Sequence, residues 1–315
     1  MTTFVSGGVF AGGPQSYAAS RFATAIIDKQ IAVVDHTIAT LGQGVPTTGI
    51  GYQETAQRLE VLASEITKTI GVALWDSPAG LAFASHFERL SLAVQKTAET
   101  DQSLALVMDQ QAAAVTTARQ QLREIEHQLF AARAHALGLN ATGNVIASQA
   151  VQEAAVQQGQ KQYTATMANL TNITTTNTSE VTTCCASLDD IEGSLNCGNS
   201  ATASATSTTS LVDVAPDELL RMATAVKNCS APLAATTAIG PQILQEVALT
   251  HGCSTETASF YSSLTNFTDG HIAVLWTVQA QIESHAERLN STGRLYAQCD
   301  IDQADDLQFD FEEDF

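Results

Sequence analysis

The side chains with the most reactive chemistry sit late in the chain. Six cysteines occur, Cys184, Cys185, Cys197, Cys229, Cys253 and Cys299, and none lies in the first 183 residues. An even number confined to one segment reads as a disulfide framework, and three bridges would allow fifteen connectivities. Neighbouring cysteines bond poorly to each other, so Cys184 and Cys185 should reach different partners. Zinc is the poorer reading, because no Cys-x-x-Cys unit and no His at finger spacing accompany them. Free buried thiols are the other alternative. A second signal comes from Asn-x-Ser/Thr sequons at seven positions: Asn140, Asn169, Asn172, Asn177, Asn228, Asn266 and Asn290. Used sequons and disulfides share an extracellular or lumenal setting. Met1–Gly13 has neither a basic start nor an apolar stretch and does not read as a signal peptide. The expected location is therefore extracellular, at a cell surface or in a virus particle, reached by a removed leader or by export within a particle. Incidental sequons are the competing reading.

Other chemistry is thin. The seven histidines contain no His-Glu-x-x-His pattern and no pair four residues apart. His127 and His135 would stand about 12 Å apart along a helix, too far to share a metal. His271 falls among apolar residues and reads as a core or seam histidine. No phosphate-loop, dinucleotide-loop or nucleophile-elbow motif occurs. Asp189, Asp190 and Glu192 read as a solvated acidic turn, and Glu124 and Glu126 with Arg119 and Arg123 as surface pairs. Trp75 and Trp276 should anchor packing. No catalytic, cofactor-binding or metal-ligating residue is assigned, no cofactor is expected, and the chain does not read as an enzyme.

The elements that would carry these residues are helices. Ile27, Ile31, Val34, Ile38 and Leu41 step by three and four, predicting a helix from Pro14 to Leu41 that Gly42 and Gly44 end. Ala56, Leu59, Ala63, Ile66, Ile70 and Ala73 predict a second helix over 52–75. A third runs from Leu81 to Leu137 without Gly or Pro. Its seam is Phe87, Leu90, Val94, Thr97, Asp101, Leu104, Met108, Gln111, Val115, Ala118, Leu122, Ile125, Leu129 and Ala132. This is coiled-coil spacing over roughly 80 Å. Three seam positions, Thr97, Asp101 and Gln111, are polar and should set register. A fourth helix is expected over 144–170, on a face of Ile146, Ala150, Ala154, Gln158 and Lys161. The Thr-rich stretch 171–183 should decay into a loop. Short helices are expected at 215–228 and 240–251. A last one is expected at 254–297, with a change of phase at Gly270.

Together these define an all-α fold: an elongated bundle of long, coiled-coil-like antiparallel helices with a disulfide-rich, loop-rich subregion. The expected organisation is a Gly-rich arm (1–13), a long-helix bundle (14–177), a cysteine-rich region (178–253), a returning long helix (254–299) and an acidic tail (300–315). The net charge is -19, with eight acidic and no basic residues in that tail. Such a balance argues against nucleic acid and anionic lipid as partners. No apolar run reaches membrane-spanning length, so no direct membrane insertion is expected. Only 15% of residues are charged, so much helix surface should meet protein or glycan. The expected function is a non-enzymatic structural or surface glycoprotein working in display or self-assembly. Its partners would be copies of itself or other assembly subunits. An adhesin or ligand-binding receptor, and a virion or secretion-apparatus subunit, are the alternatives.

Overall fold

The computed structural model describes residues 24–72, 78–197, 215–252 and 254–312. The expected arm at 1–13, Trp75, the low-complexity run 201–210 and Cys253 lie outside the described residues. Eight α-helices and no strand are present among the described residues: α1 (Ala25–Thr40), α2 (Ile50–Val72), α3 (Pro78–Ala141), α4 (Val145–Cys197), α5 (Pro216–Asn228), α6 (Ala231–Thr237), α7 (Ile239–Thr250) and α8 (Ala258–Glu312). The protein is an all-α helical bundle. No described helix is long and apolar enough to cross a membrane.

The described chain groups into two compact units. The first takes the described residues of Met1–Pro46, Ala113–Thr174 and Thr250–Thr257; the second takes those of Thr47–Ala112, Thr175–Leu249 and Ala258–Phe315. Helices α3 and α4 contribute to both.

In the first unit, Ile27, Ile31, Val34 and Leu41 pack on Val115, Leu122, Ile125 and Leu129 of α3 and on Met167 and Leu170 of α4. Arg133 Nε donates to Asp28 Oδ1 at 2.6 Å, and the hydroxyls of Thr37 and Tyr163 meet at 3.0 Å. Helices α3 and α4 are antiparallel here. Ser148 Oγ donates to the Ala136 carbonyl, and Gly159 leaves room for Leu129. The face that α4 buries is not the one expected: Ile146 is 85% exposed, and Ala150, Ala154, Gln158 and Lys161 are exposed too. Ser148, Gln152, Gly159, Thr166, Met167 and Leu170 turn inward instead. In a run of Ala, Gln and Thr, small and polar residues form the seam, so hydropathy does not reveal its phase.

Arg119 closes this unit, and it is no surface pair. It is buried, and its guanidinium donates to the carbonyls of Gly44 and Leu41, each at 2.6 Å, and to that of Thr250. Leu41 and Thr250 stand at the C-termini of α1 and α7, where unpaired carbonyls carry partial negative charge. One cation thus satisfies two helix ends. Bringing them together requires Gly42 (φ 87°) and Gly252 (φ 73°) in back-to-back contact.

The second unit holds the larger core. Helix α3 lies antiparallel to α2, with Thr67 and Ser91 hydroxyls 2.9 Å apart and Gln102 donating to Glu60. It also lies antiparallel to α8, with Asp101 beside His271 and Phe87 beside His285. The expected seam of α3 is buried from Phe87 to Leu129, and its last position, Ala132, is half-buried. Helix α4 continues through Thr171–Thr183, where a loop was expected, and ends at Cys197. Thr171, Thr182 and Thr183 donate their hydroxyls to carbonyls four residues back, so these side chains are satisfied without leaving the helix. The cysteine-rich segment is accordingly mostly helical. Helix α5 begins at Pro216 with Asp217 and Glu218 in its first turn, as expected.

Helix α8 shows no change of phase at Gly270. Phe260, Leu264, Phe267, His271, Val274, Val278, Ile282 and Leu289 form one buried row. The helix runs on through the acidic end to Glu312.

A methyl group at Gly252 would overlap the Thr40 carbonyl and the Leu41 backbone, whereas at Gly44 it would meet nothing within 4 Å. Gly252→Ala should therefore cost about 2 kcal/mol or more, and Gly44→Ala only about 1 kcal/mol for its positive φ. Urea denaturation of the two variants checks the difference.

Candidate functional site

Two of the three polar positions of the α3 seam, Asp101 and Gln111, find partners on other helices of the second unit. Asp101 Oδ2 lies 3.1 Å from His271 Nε2, with both side chains sealed from solvent. Phe267 stacks on the His271 ring, centroids 5.7 Å apart at 17°. Tyr52 of α2 packs its ring edge-on to Phe267 and sets its hydroxyl 3.2 Å from that of Thr268. Ten residues along the seam from Asp101, Asn177 of α4 donates to Gln111 Oε1 at 2.9 Å. Thr97 turns back onto its own helix, donating to the Ala93 carbonyl. Burial pushes the Asp101 carboxyl above the usual range and His271 pulls it back; burial also raises the Tyr52 phenol. An aspartate beside a histidine could in principle move a proton. Here both are enclosed by packed side chains, and what the pair supports is helix register.

A second polar cluster closes the other end of the α3–α8 interface. The rings of His86 and His285 lie 4.2 Å apart, with Phe83 and Phe87 against them and Arg89 Nη2 3.3 Å from His86 Nδ1. Burial, then Arg89 and Arg288, holds His86 below its ordinary value. Burial, then His86 and Arg288, pushes His285 down to about 4.

The cysteines are differently placed from the expectation. Cys184, Cys185, Cys229 and Cys299 are free thiols, so these four build no disulfide framework. Helix geometry explains it: one residue step turns about 100°, so Cys184 enters the core while Cys185 sits 3.9 Å from the Ser263 carbonyl. Cys229 donates to the Ala225 carbonyl of its own helix, and Cys299 is exposed near the end of α8. Burial raises Cys184 to about 11. The side chains of Cys197 and Cys253 lie outside the described residues. All seven sequon asparagines stand on helices. Asn169, Asn172, Asn228 and Asn266 are exposed, and Asn140 and Asn290 are half-buried. Asn177 is fully buried and hydrogen-bonded, which leaves no room for a glycan on the folded chain. Trp276, expected to anchor packing, is 63% exposed. Among the described residues no group of three or more His, Cys, Asp or Glu is arranged to hold a metal ion.

Residues 41–124 match the model of the EspA/EspE family. That is roughly a quarter of the chain: the loop after α1, all of α2 and most of α3. It contains Tyr52, Thr97, Asp101, Gln111 and Arg119. The partners Thr268, His271, Asn177 and Thr250 lie outside it. No curated protein and no solved structure matches the chain.

Removing one partner of a buried pair leaves the other unpaired, so His271→Ala or Asp101→Ala should each cost about 3–5 kcal/mol. The Asp101→Leu/His271→Leu double variant should be far closer to the parent. A thermal denaturation cycle over the four proteins checks this. The histidine cluster sets a pH dependence. A histidine whose folded pKa is depressed takes up protons on unfolding, so its contribution is present above the ordinary value of 6.5 and is lost as pH falls toward about 4. Stability should therefore decline across that window, and the decline should shrink in a His86→Phe/His285→Phe variant, as read by urea midpoints at several pH values.

Proposed function

We propose that this chain is a secreted, non-enzymatic helical-bundle protein that works outside the cell by assembling with copies of itself or with other subunits. The observation that carries this is the EspA/EspE match over residues 41–124, which points to a secretion-related protein in an extracellular or secreted setting. The interior supports the non-enzymatic part of the reading. The Asp101–His271 pair, the one between seam positions that could move a proton, is enclosed among packed side chains.

The surface supports the assembly part. Leu81, Leu92 and Leu106 on α3, Val61 on α2 and Trp276 on α8 are all more than half exposed in the second unit. Single exposed apolar residues are ordinary, but several within one unit of a weakly charged bundle favour contact with other protein.

The test is to follow the tagged full chain in its own cell of origin, comparing culture medium with cell pellet and using a cytosolic enzyme as lysis control. The protein should be enriched in the medium and should scatter light as a species larger than one chain. Retention in the pellet removes the secretion reading, and a secreted monomer at every concentration removes the assembly reading.

A further inference from the structure

In the second unit, α3 and α4 run side by side and antiparallel, and they leave a surface groove of about 680 Å³ between them. Along α3 it extends from Lys96 to Gln110, about 21 Å or nearly four helical turns. Its floor is apolar, formed by Val107, Cys184 and Ile191, all buried. The raised thiol of Cys184 stays protonated and serves as part of that apolar floor. Leu106 stands on the rim, 60% exposed. Between floor and rim the walls carry Ser103, Thr183 and Ser187, short side chains that let another backbone approach closely.

The rim charges are unequal. Glu99 on α3 and Glu180 and Asp190 on α4 face a single Lys96. We infer that this groove is a docking site for a basic amphipathic helix of a partner protein, its apolar stripe on Val107, Cys184 and Ile191 and its Lys or Arg side chains against the acidic rim. Helix-in-groove recognition uses this combination of apolar anchors at helical spacing and a flanking charge of opposite sign. A second copy of this chain is the poorer occupant, since it would bring a net charge of -19 to an acidic rim. The inference deepens the assembly reading and rests on it for the idea that this surface is used.

The experiment titrates the full chain with two synthetic helical peptides, one with Leu on one face flanked by Lys and the same peptide with Glu in place of Lys. The Lys peptide should bind at least about tenfold more tightly, a gap of about 1.4 kcal/mol. Leu106→Asp should weaken it by a similar factor. Leu249→Asp, at an exposed position on α7 outside the groove, should leave it unchanged, with circular dichroism confirming that both variants remain helical. Equal binding of the two peptides, or equal loss in both variants, would overturn the proposal. So would a concentration-dependent dimer of the parent chain that Leu106→Asp dissolves, because a second copy would then fill the groove. A secreted chain that ignores both peptides loses the groove and keeps secretion; a retained chain that selects the Lys peptide does the reverse.

Discussion

A helix packed through an apolar seam of period three-and-four has a problem that its length makes worse. Sliding it by seven residues restores nearly the same pattern of knobs and holes, so hydrophobic burial alone barely prefers one register. In the second unit the preference comes from Asp101 against His271 and from Asn177 against Gln111. A slip of one heptad along α8 would set Asp101 opposite Val278 or Leu264, which cannot pair with a carboxyl. An uncompensated buried carboxyl costs several kcal/mol, which separates registers that apolar burial alone barely distinguishes. The surrounding aromatic contacts depend on this choice. Tyr52 of α2 meets Phe267 and reaches Thr268 only where the Asp101 pair has fixed α8, whereas the Phe267–His271 stack is a contact four residues apart within α8 itself.

The seam itself was legible because every position from Phe87 to Leu129 is either strongly apolar or one of three polar exceptions at the same spacing. Nothing local disclosed what the exceptions would meet. His271 is 170 residues from Asp101, and a pairing at that separation is visible only after the chain has folded. Two other readings failed for a shared reason. In α4 the residues that turn inward include Ser148, Gln152, Gly159 and Thr166, and the Thr-rich run packs as helix with Thr174, Asn177 and Val181 buried and hydroxyls bonded back to the same helix. Where small and polar residues do the packing, hydropathy marks neither the face nor the end of a helix. In α8 Val274 and Leu275 are both buried, so the apolar face is wide enough to fit two phases, and a change of phase at Gly270 is what the pattern suggests although the buried row is continuous. The cysteines misled because even number and clustering suggested covalent ties, yet Cys184 and Cys229 serve as small apolar residues in helix interfaces.

The positions that looked least informative turned out to organise a whole unit. Arg119 read as one member of a surface charge pair, and in the fold it is the cation onto which the ends of α1 and α7 converge. The glycines at 42 and 252 have positive φ because two chain segments must touch there, and side chains would hold them apart. In a chain with few basic residues, using one of them entirely on backbone carbonyls is a substantial commitment. It explains why α1 can stop sharply where it does. The sequence signal for the stop, Gly42 and Gly44, was readable; the cation that stabilises it was not.

Helix α3 carries a second regularity that its inner seam does not use. Ser85, Leu92, Glu99 and Leu106 recur at seven-residue steps on the side away from the core, and all four are exposed. A stripe that only needed solvation would be filled with Lys and Glu, which cost little in a helix and keep the surface wet. Retaining leucine at two of the four positions leaves apolar area in water that burial would stabilise by about 25 cal/mol per Å². Together with a groove whose floor is already apolar, this makes the outer side of α3 in the second unit a surface whose composition fits contact with protein better than contact with water. The inner seam, with Asp101 paired to His271 and Gln111 to Asn177 across helices, holds that outer side in one fixed register, and a fixed surface is what a specific partner requires.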